Sequence, residues 1–196
     1  MISREASSVL RASPGPAFSM VYGGISFGLV SALAYSIWAY RLVPGTTGLY
    51  ISTAAVYLGL AGLALGWLVR TSGMRRRFPF LFAGCFLVYA VCWCAFWFGL
   101  RGKFQADLWG AAAGLAAMTW LLRRAFGMRG GFFRFFAVLL ILHSAGYYAG
   151  EALYAAVRGS SGRLLWGAAH GIGFGAGLGY VLSCCQSAAQ HGEQST

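Results

Sequence analysis

The sequence predicts an all-α, polytopic membrane protein with six transmembrane helices. Of the 196 residues, 59% are hydrophobic and 10% are charged, whereas soluble domains carry about 25% charged residues. The apolar residues also fall into six runs, and a membrane-spanning helix needs roughly 17–25 of them. The predicted spans are 18–40, 49–69, 78–100, 106–122, 132–157 and 164–185.

The polar ends of the chain set the predicted domain boundaries. Residues 1–17 and 186–196 are expected to be disordered cytoplasmic tails, because both are polar and lie outside the apolar runs. Residues 18–185 then form a single transmembrane domain. The fourth run, 106–122, is close to the shortest length that can cross a bilayer.

The distribution of Lys and Arg predicts the orientation of the spans. Short cytoplasmic loops carry an excess of these residues. The first, third and fifth loops hold five of the 15 cations, and the tails with the second and fourth loops hold the other ten. Both termini are therefore expected in the cytoplasm. The five cations on the outer side are Arg41, Arg101, Lys103, Arg158 and Arg163.

The second half of the chain contains a possible internal repeat. Residues 108–112 and 165–169 have the same sequence, Leu-Trp-Gly-Ala-Ala, at an offset of 57 residues. Arg-Phe and Arg-Gly pairs recur at the same offset. The third and fourth spans therefore resemble the fifth and sixth, and the sequence predicts a duplicated hairpin in a parallel repeat. Such repeats occur among transporters, although duplication for packing alone has the same pattern.

The last run is rich in glycine at helical spacing. Gly167, Gly171, Gly175 and Gly179 recur every four residues, and Gly173 and Gly177 form a second row. In a membrane, small residues at this spacing let another helix backbone approach closely. The sequence therefore predicts that the last helix packs at the centre of the bundle, with the first row as its packing surface.

A few ionisable or polar side chains lie inside the spans, where such groups are functional candidates. Glu151 precedes Arg158 by seven residues and His170 follows Arg163 by seven. Both are then about 10 Å from the outer end of one hairpin, and we expect them to pair. His143 and Tyr147 share a helix face with Glu151, and Tyr154 lies close to it.

These candidates favour a small transport or conduction module with a Glu–His site that opens to the outer side. In this hypothesis the Glu151 carboxylate binds a proton or a small cation beside His170. Two alternatives remain open. One is an intramembrane enzyme that uses Glu151 or His170, and the other is a non-catalytic structural or assembly subunit of a larger membrane complex.

No cofactor is predicted. Haem ligation by His143 and His170 is disfavoured because counting from Arg158 and Arg163 separates them by about 12 Å in depth. A metal site meets the same objection, since zinc needs three or four close ligands.

Net charge suggests partners at the membrane surface. The net charge of +11 lies mainly in loops, as topology requires, and no nucleic-acid-binding motif accompanies it. The cluster Arg75, Arg76 and Arg77 is expected to contact anionic lipid headgroups. The bilayer, a second copy of the chain or a membrane-complex partner are the other expected contacts.

Overall fold

A computed structural model describes residues 14–71 and 73–193, with side chains as far as 187. The secondary structure of these residues is helical throughout, without a strand. A five-residue π-helical turn, Tyr57–Ala61, joins α2 to α3, so these two form one continuous span, Thr46–Gly66. The helices are α1 Pro16–Ala39, α2 Thr46–Val56, α3 Gly62–Gly66, α4 Met74–Gly99, α5 Ala106–Ala125, α6 Phe132–Val157 and α7 Gly159–Glu193.

Five of the helical segments in the described chain are long and apolar enough to cross a membrane. They confirm an all-helical, multi-pass integral membrane protein. The predicted fourth span, 106–122, corresponds to α5, which has 20 residues but is not among the five. Asp107 in its first turn and Arg123 and Arg124 in its last turn lower its apolar character. The count of six spans stays a prediction.

The boundaries of α7 differ from those expected. The predicted tail from residue 186 is still helical as far as Glu193. The Gln186 side chain is buried, and its amide nitrogen donates to the carbonyl oxygens of Leu68 and Leu182. The tail 1–17 lies outside the described residues except for 14–17, where α1 begins at Pro16.

The connection between α6 and α7 is also shorter than expected. Helix α6 ends at Val157, and α7 begins at Gly159. The helix breaks at Arg158, with φ at 54°, a value that residues other than glycine rarely adopt, and Gly159 follows with φ at 60°. Arg163 therefore lies inside α7 instead of at its start, which changes which residues face each other across this hairpin.

The helices form a closed ring in which each packs against the next along the chain and α7 packs against α1. Successive spans are antiparallel. We call the end that carries the connections at 40–45, 100–105 and 158 the upper end of the bundle. The lower end carries the connections at 67–73 and 126–131.

Helix α7 contacts α1 through its row of four glycines. A Cβ atom at Gly179 would overlap the Ser19 carbonyl oxygen, and one at Gly175 would overlap the Gly23 carbonyl oxygen. Further up, a Cβ at Gly171 would overlap Ser31. No side chain fits between the two backbones at these positions, so glycine is required for the observed distance between α1 and α7.

The second row of glycines in α7 faces α6. A Cβ at Gly173 would overlap the Leu142 carbonyl oxygen and lie 2.8 Å from the Gly146 Cα atom. One at Gly177 would lie 2.7 Å from the Leu139 side chain. Helix α7 therefore approaches both α1 and α6 through glycine.

The matched glycines of the proposed repeat have different neighbours. Gly110 and Gly114 of α5 lie against Trp93 and Tyr89 of α4. Their counterparts at the 57-residue offset, Gly167 and Gly171, face α1 instead. This packing gives no support to the duplicated hairpin, which stays a prediction from the sequence.

The core is tightly packed in the lower half of the bundle. Fully buried leucine, methionine and phenylalanine side chains from five segments fill the space between the helices there. In the upper half, mainly aromatic rings surround a space that no side chain fills. The buried lower residues include Leu65, Phe78, Phe82, Met118, Leu122, Leu139, Leu178 and Leu182.

The glycine contact gives a direct test of the fold. Gly179→Ala should destabilise the protein by roughly 1–3 kcal/mol, because the new methyl group forces α1 and α7 apart. The measurement is thermal unfolding in detergent micelles. Gly84→Ala on α4 is the matched control, since nothing lies within 4 Å of its Cβ position. Equal stability of the two variants would contradict the close packing of α1 on α7.

Candidate functional site

The unfilled upper half contains a cavity of about 220 Å³. Side chains from every helical span and from α5 line it. Its walls run from the interior to the surface: His143 is 2% exposed and Phe27 is 1% exposed, whereas Tyr148 is 52% and Tyr50 is 63% exposed. The cavity therefore connects the centre of the bundle with the protein surface in its upper half.

Two histidines and a tyrosine meet at the inner end of this cavity. The Nε2 atoms of His143 and His170 are 3.0 Å apart, and the Tyr89 hydroxyl lies 2.8 Å from the same His143 nitrogen. Helices α4, α6 and α7 each supply one of the three residues. The imidazole rings are nearly perpendicular, at 87°. We call Tyr89, His143 and His170 the histidine cluster.

The hydrogen bonds of the histidine cluster compete with each other. An imidazole nitrogen either accepts through one lone pair or donates one proton, yet two groups approach Nε2 of His143. The Nδ1 atoms of both histidines are also buried without a hydrogen-bond partner among the described residues. A ligand that bonded to Tyr89 or His170 would relieve the competition for His143.

The expected pair of Glu151 with His170 is not formed. Glu151 is exposed, and its Oε1 atom accepts a hydrogen bond of 2.7 Å from the indole Nε1 of Trp166. The reason is the one-residue break at Arg158, which places Glu151 level with Trp166, one helical turn above His170. Glu151 does not line the cavity, but Trp166 does. The carboxylate therefore holds an indole ring that forms part of the cavity wall.

The short connection also removes the depth argument used against ligation by His143 and His170. Their predicted separation of about 12 Å assumed that α7 begins near Arg163, and this was wrong. The Nε2 atoms of the two histidines are instead 3.0 Å apart. Within the described residues, no group of three or more His, Cys, Asp or Glu side chains is placed to hold a metal.

The remaining candidates lie in different surroundings. Tyr147 lines the cavity, with its ring centroid 5.3 Å from that of Trp166 and 6.0 Å from that of His170. Tyr154 lies further up, against Gly162 in the first turns of α7, and is not part of the cavity wall. Of the five predicted ligand-binding residues, the structure therefore brings His143, Tyr147 and His170 together.

The residues of the site that the sequence analysis missed include Tyr89 and Asp107. Asp107 lines the upper part of the cavity and is the one acidic residue among its described lining. Its side chain interacts electrostatically with Tyr147. The sequence contains a feature that could have identified each of them. Asp107 is one of only four acidic residues in the chain. Tyr89 belongs to a stripe of aromatic residues at helical spacing, Phe82, Phe86, Tyr89 and Trp93.

The π-helical turn shapes the inner wall of the cavity. It carries Tyr57, whose hydroxyl lies 2.6 Å from that of Ser31. The Ser31 hydroxyl in turn donates to the Gly167 carbonyl oxygen over 2.6 Å. This network joins α1, the π-helical turn and α7 beside the cavity. Single π-helical turns of this kind are frequent at functional sites.

Comparison of the chain with protein families, curated proteins and solved structures found no match. Any functional conclusion therefore depends on the cavity and the histidine cluster.

The histidine cluster can be tested by spectroscopy. Tyr89→Phe should shift the imidazole nitrogen resonances of His143 and His170, because it removes one of the two groups that compete for His143 Nε2. The measurement is NMR of protein labelled with ¹⁵N-histidine, in a His191→Gln background. Tyr154→Phe removes a hydroxyl outside the cavity and should leave both signals in place. Unchanged signals in Tyr89→Phe would show that the cluster does not form.

The role of Glu151 can be tested at Trp166. Glu151→Gln retains an oxygen acceptor and should shift the Trp166 indole N–H resonance little, although the neutral bond is weaker. Glu151→Leu removes the acceptor and should shift it strongly. The signal is assigned with Trp166→Phe in ¹⁵N-tryptophan NMR. If the leucine variant leaves the resonance unchanged, Glu151 does not orient the indole.

Proposed function

We propose that the protein is a small membrane transport module that binds a ring-shaped, neutral or positively charged solute in the upper cavity. The observation that carries this proposal is the continuous cavity from the surface to the buried histidine cluster, lined by every span. Binding sites between the helices of a bundle commonly combine apolar walls with a few convergent polar groups. Here the cluster supplies the polar groups at the inner end.

The size of the cavity favours a solute of one or two rings. A buried cavity of about 150 Å³ holds one benzene molecule, and this cavity has about 220 Å³. Tyrosine, tryptophan and phenylalanine rings form most of its surface. They favour a flat solute, since aromatic rings gain from stacking or edge contacts beyond the burial of area.

The charges around the cavity disfavour anions. None of the described lining residues is a lysine or arginine, and Asp107 contributes a carboxylate near the upper end. The faces of tryptophan and tyrosine rings also attract cations. A neutral ring with a hydrogen-bonding group fits the same walls and can bond to the histidine cluster.

The packing favours a carrier over an open channel. Below the cavity, the bundle is filled by fully buried apolar side chains, so passage to the lower end requires the helices to move. The contact between α7 and α1, which has no side chains on the α7 face at its four glycines, offers a surface along which they can shift. We further propose that α5 also crosses the membrane, which brings the number of spans to six. The upper end, which carries five cations against ten in the rest of the chain, then faces outward.

Three indole compounds that differ in charge test this proposal: indole, tryptamine and indole-3-acetate. We expect saturable binding of indole and tryptamine to the purified protein, and roughly tenfold weaker binding of indole-3-acetate, because Asp107 repels its carboxylate. Isothermal titration calorimetry in detergent measures binding. Uptake into proteoliposomes then measures transport of the compounds that bind.

Filling the cavity provides the control. Ala90→Phe places a ring in the cavity and should abolish binding, whereas Ala95→Phe on the exposed face of the same helix should not. Equal binding by both variants, or none by the folded wild type, would contradict the proposal. Binding without uptake would reject transport and favour the enzyme or assembly-subunit alternatives, which turnover of the compound and co-purification of a stoichiometric partner would separate.

A further inference from the structure

A second cavity of about 410 Å³ lies at the upper end of the bundle, outside the site described above. It is formed by the end of α1, the connection at 40–45, the first turns of α2 and one residue of α7. Two of its lining residues are arginines, Arg41 and Arg163, and none of its described lining is acidic. We call it the arginine cavity.

The charges of the arginine cavity are not compensated. Asp107 and Glu151 are the acidic residues whose side chains the structure describes, and neither lines this cavity. The Nε atom of Arg163 is buried without a hydrogen-bond partner within the described chain. Arginine side chains normally place their donors against acceptors, because an unpaired buried donor is destabilising.

The Arg163 side chain is nevertheless held in place. Its Cζ atom lies 4.8 Å from the centre of the Trp38 ring, a distance at which the ring face attracts a cation. Trp38 is itself in edge contact with Tyr35, at a centroid distance of 6.0 Å. The guanidinium is therefore fixed against α1 with a donor still unused.

Backbone donors lie at the same cavity. Helix α2 begins at Thr46, and its N-cap, Gly45, has no side chain that could accept from the first turn. The amides of the first residues of a helix have no acceptor within it, and they carry a partial positive charge. Gly45 and Thr46 both line the arginine cavity, so this helix end adds to the field of the two arginines.

We propose that the arginine cavity binds a phosphate group through Arg41, Arg163 and the amino end of α2. Guanidinium groups and helix amino ends both recognise phosphate oxygens. Trp38 and Tyr50 flank the cavity, as aromatic residues do at the level of lipid headgroups. The phosphate belongs to an anionic phospholipid or is free in solution. This proposal does not depend on the solute of the upper cavity.

Native mass spectrometry of the full chain tests the lipid source. Protein in detergent is mixed with equal amounts of phosphatidylglycerol and phosphatidylcholine. We expect the wild type to retain one phosphatidylglycerol in preference, and Arg41→Gln/Arg163→Gln to retain roughly tenfold less, because the charge-assisted bonds are lost. Arg101→Gln/Lys103→Gln removes the same charge at the same end outside the cavity and should behave as wild type.

Thermal unfolding with inorganic phosphate tests the second source. If phosphate stabilises the wild type but not Arg41→Gln/Arg163→Gln, while no lipid is retained selectively, the ligand is free phosphate. Arg41→Lys/Arg163→Lys keeps the charge and should recover part of the binding, which separates a lost site from a misfolded protein. Equal retention of lipid and equal phosphate response in both glutamine double variants would overturn the proposal.

Discussion

The close contact between the backbones of α1 and α7 is the constraint on which the rest of the structure depends. Glycines on one face of α7 bring it against α1, and glycines on a second face bring it against α6. Three ring side chains lie on the third face of α7, where Trp166, His170 and Phe174 follow at four-residue spacing and line the cavity. Glycine thus provides packing on two faces and leaves the cavity-lining side chains on the remaining one.

The cavity forms because of the side chains that the other helices place opposite this third face of α7. In the lower half, leucine, methionine and phenylalanine side chains fill the space between the helices, as close packing requires. In the upper half, rigid rings from α1, α2, α4, α6 and α7 meet around a common centre and leave space between them. The π-helical turn adds Tyr57 to this wall, and a hydrogen-bond network through Ser31 ties it to α7.

Sequence patterns predicted the helices well, and the site in part. Apolar runs indicate spans because only helices satisfy backbone groups in lipid, and glycine spacing indicated which helix packs most closely. The predicted partner of Glu151 was wrong because the register of a hairpin depends on the length of its connection. The turn-forming residues at 158–162 indicate a loop, but they do not show that only residue 158 lies outside the helices. The same error separated His143 from His170, which are in contact. Tyr89 was missed because an aromatic stripe in a membrane helix usually indicates lipid contact or core packing.

The two cavities are neighbours, and this links the two proposals physically. Tyr50 lines both of them, and the contacts of Trp38 with Tyr35 and of Tyr35 with Trp166 connect their walls. A phosphate group bound to Arg163 would contact the guanidinium that lies on the Trp38 ring. Trp38 in turn contacts Tyr35, which lines the edge of the upper cavity. Two ligands that compete for or share such walls change each other's affinity by the same factor. The two proposals together therefore predict that a phosphate or lipid bound in the arginine cavity changes the solute affinity of the upper cavity.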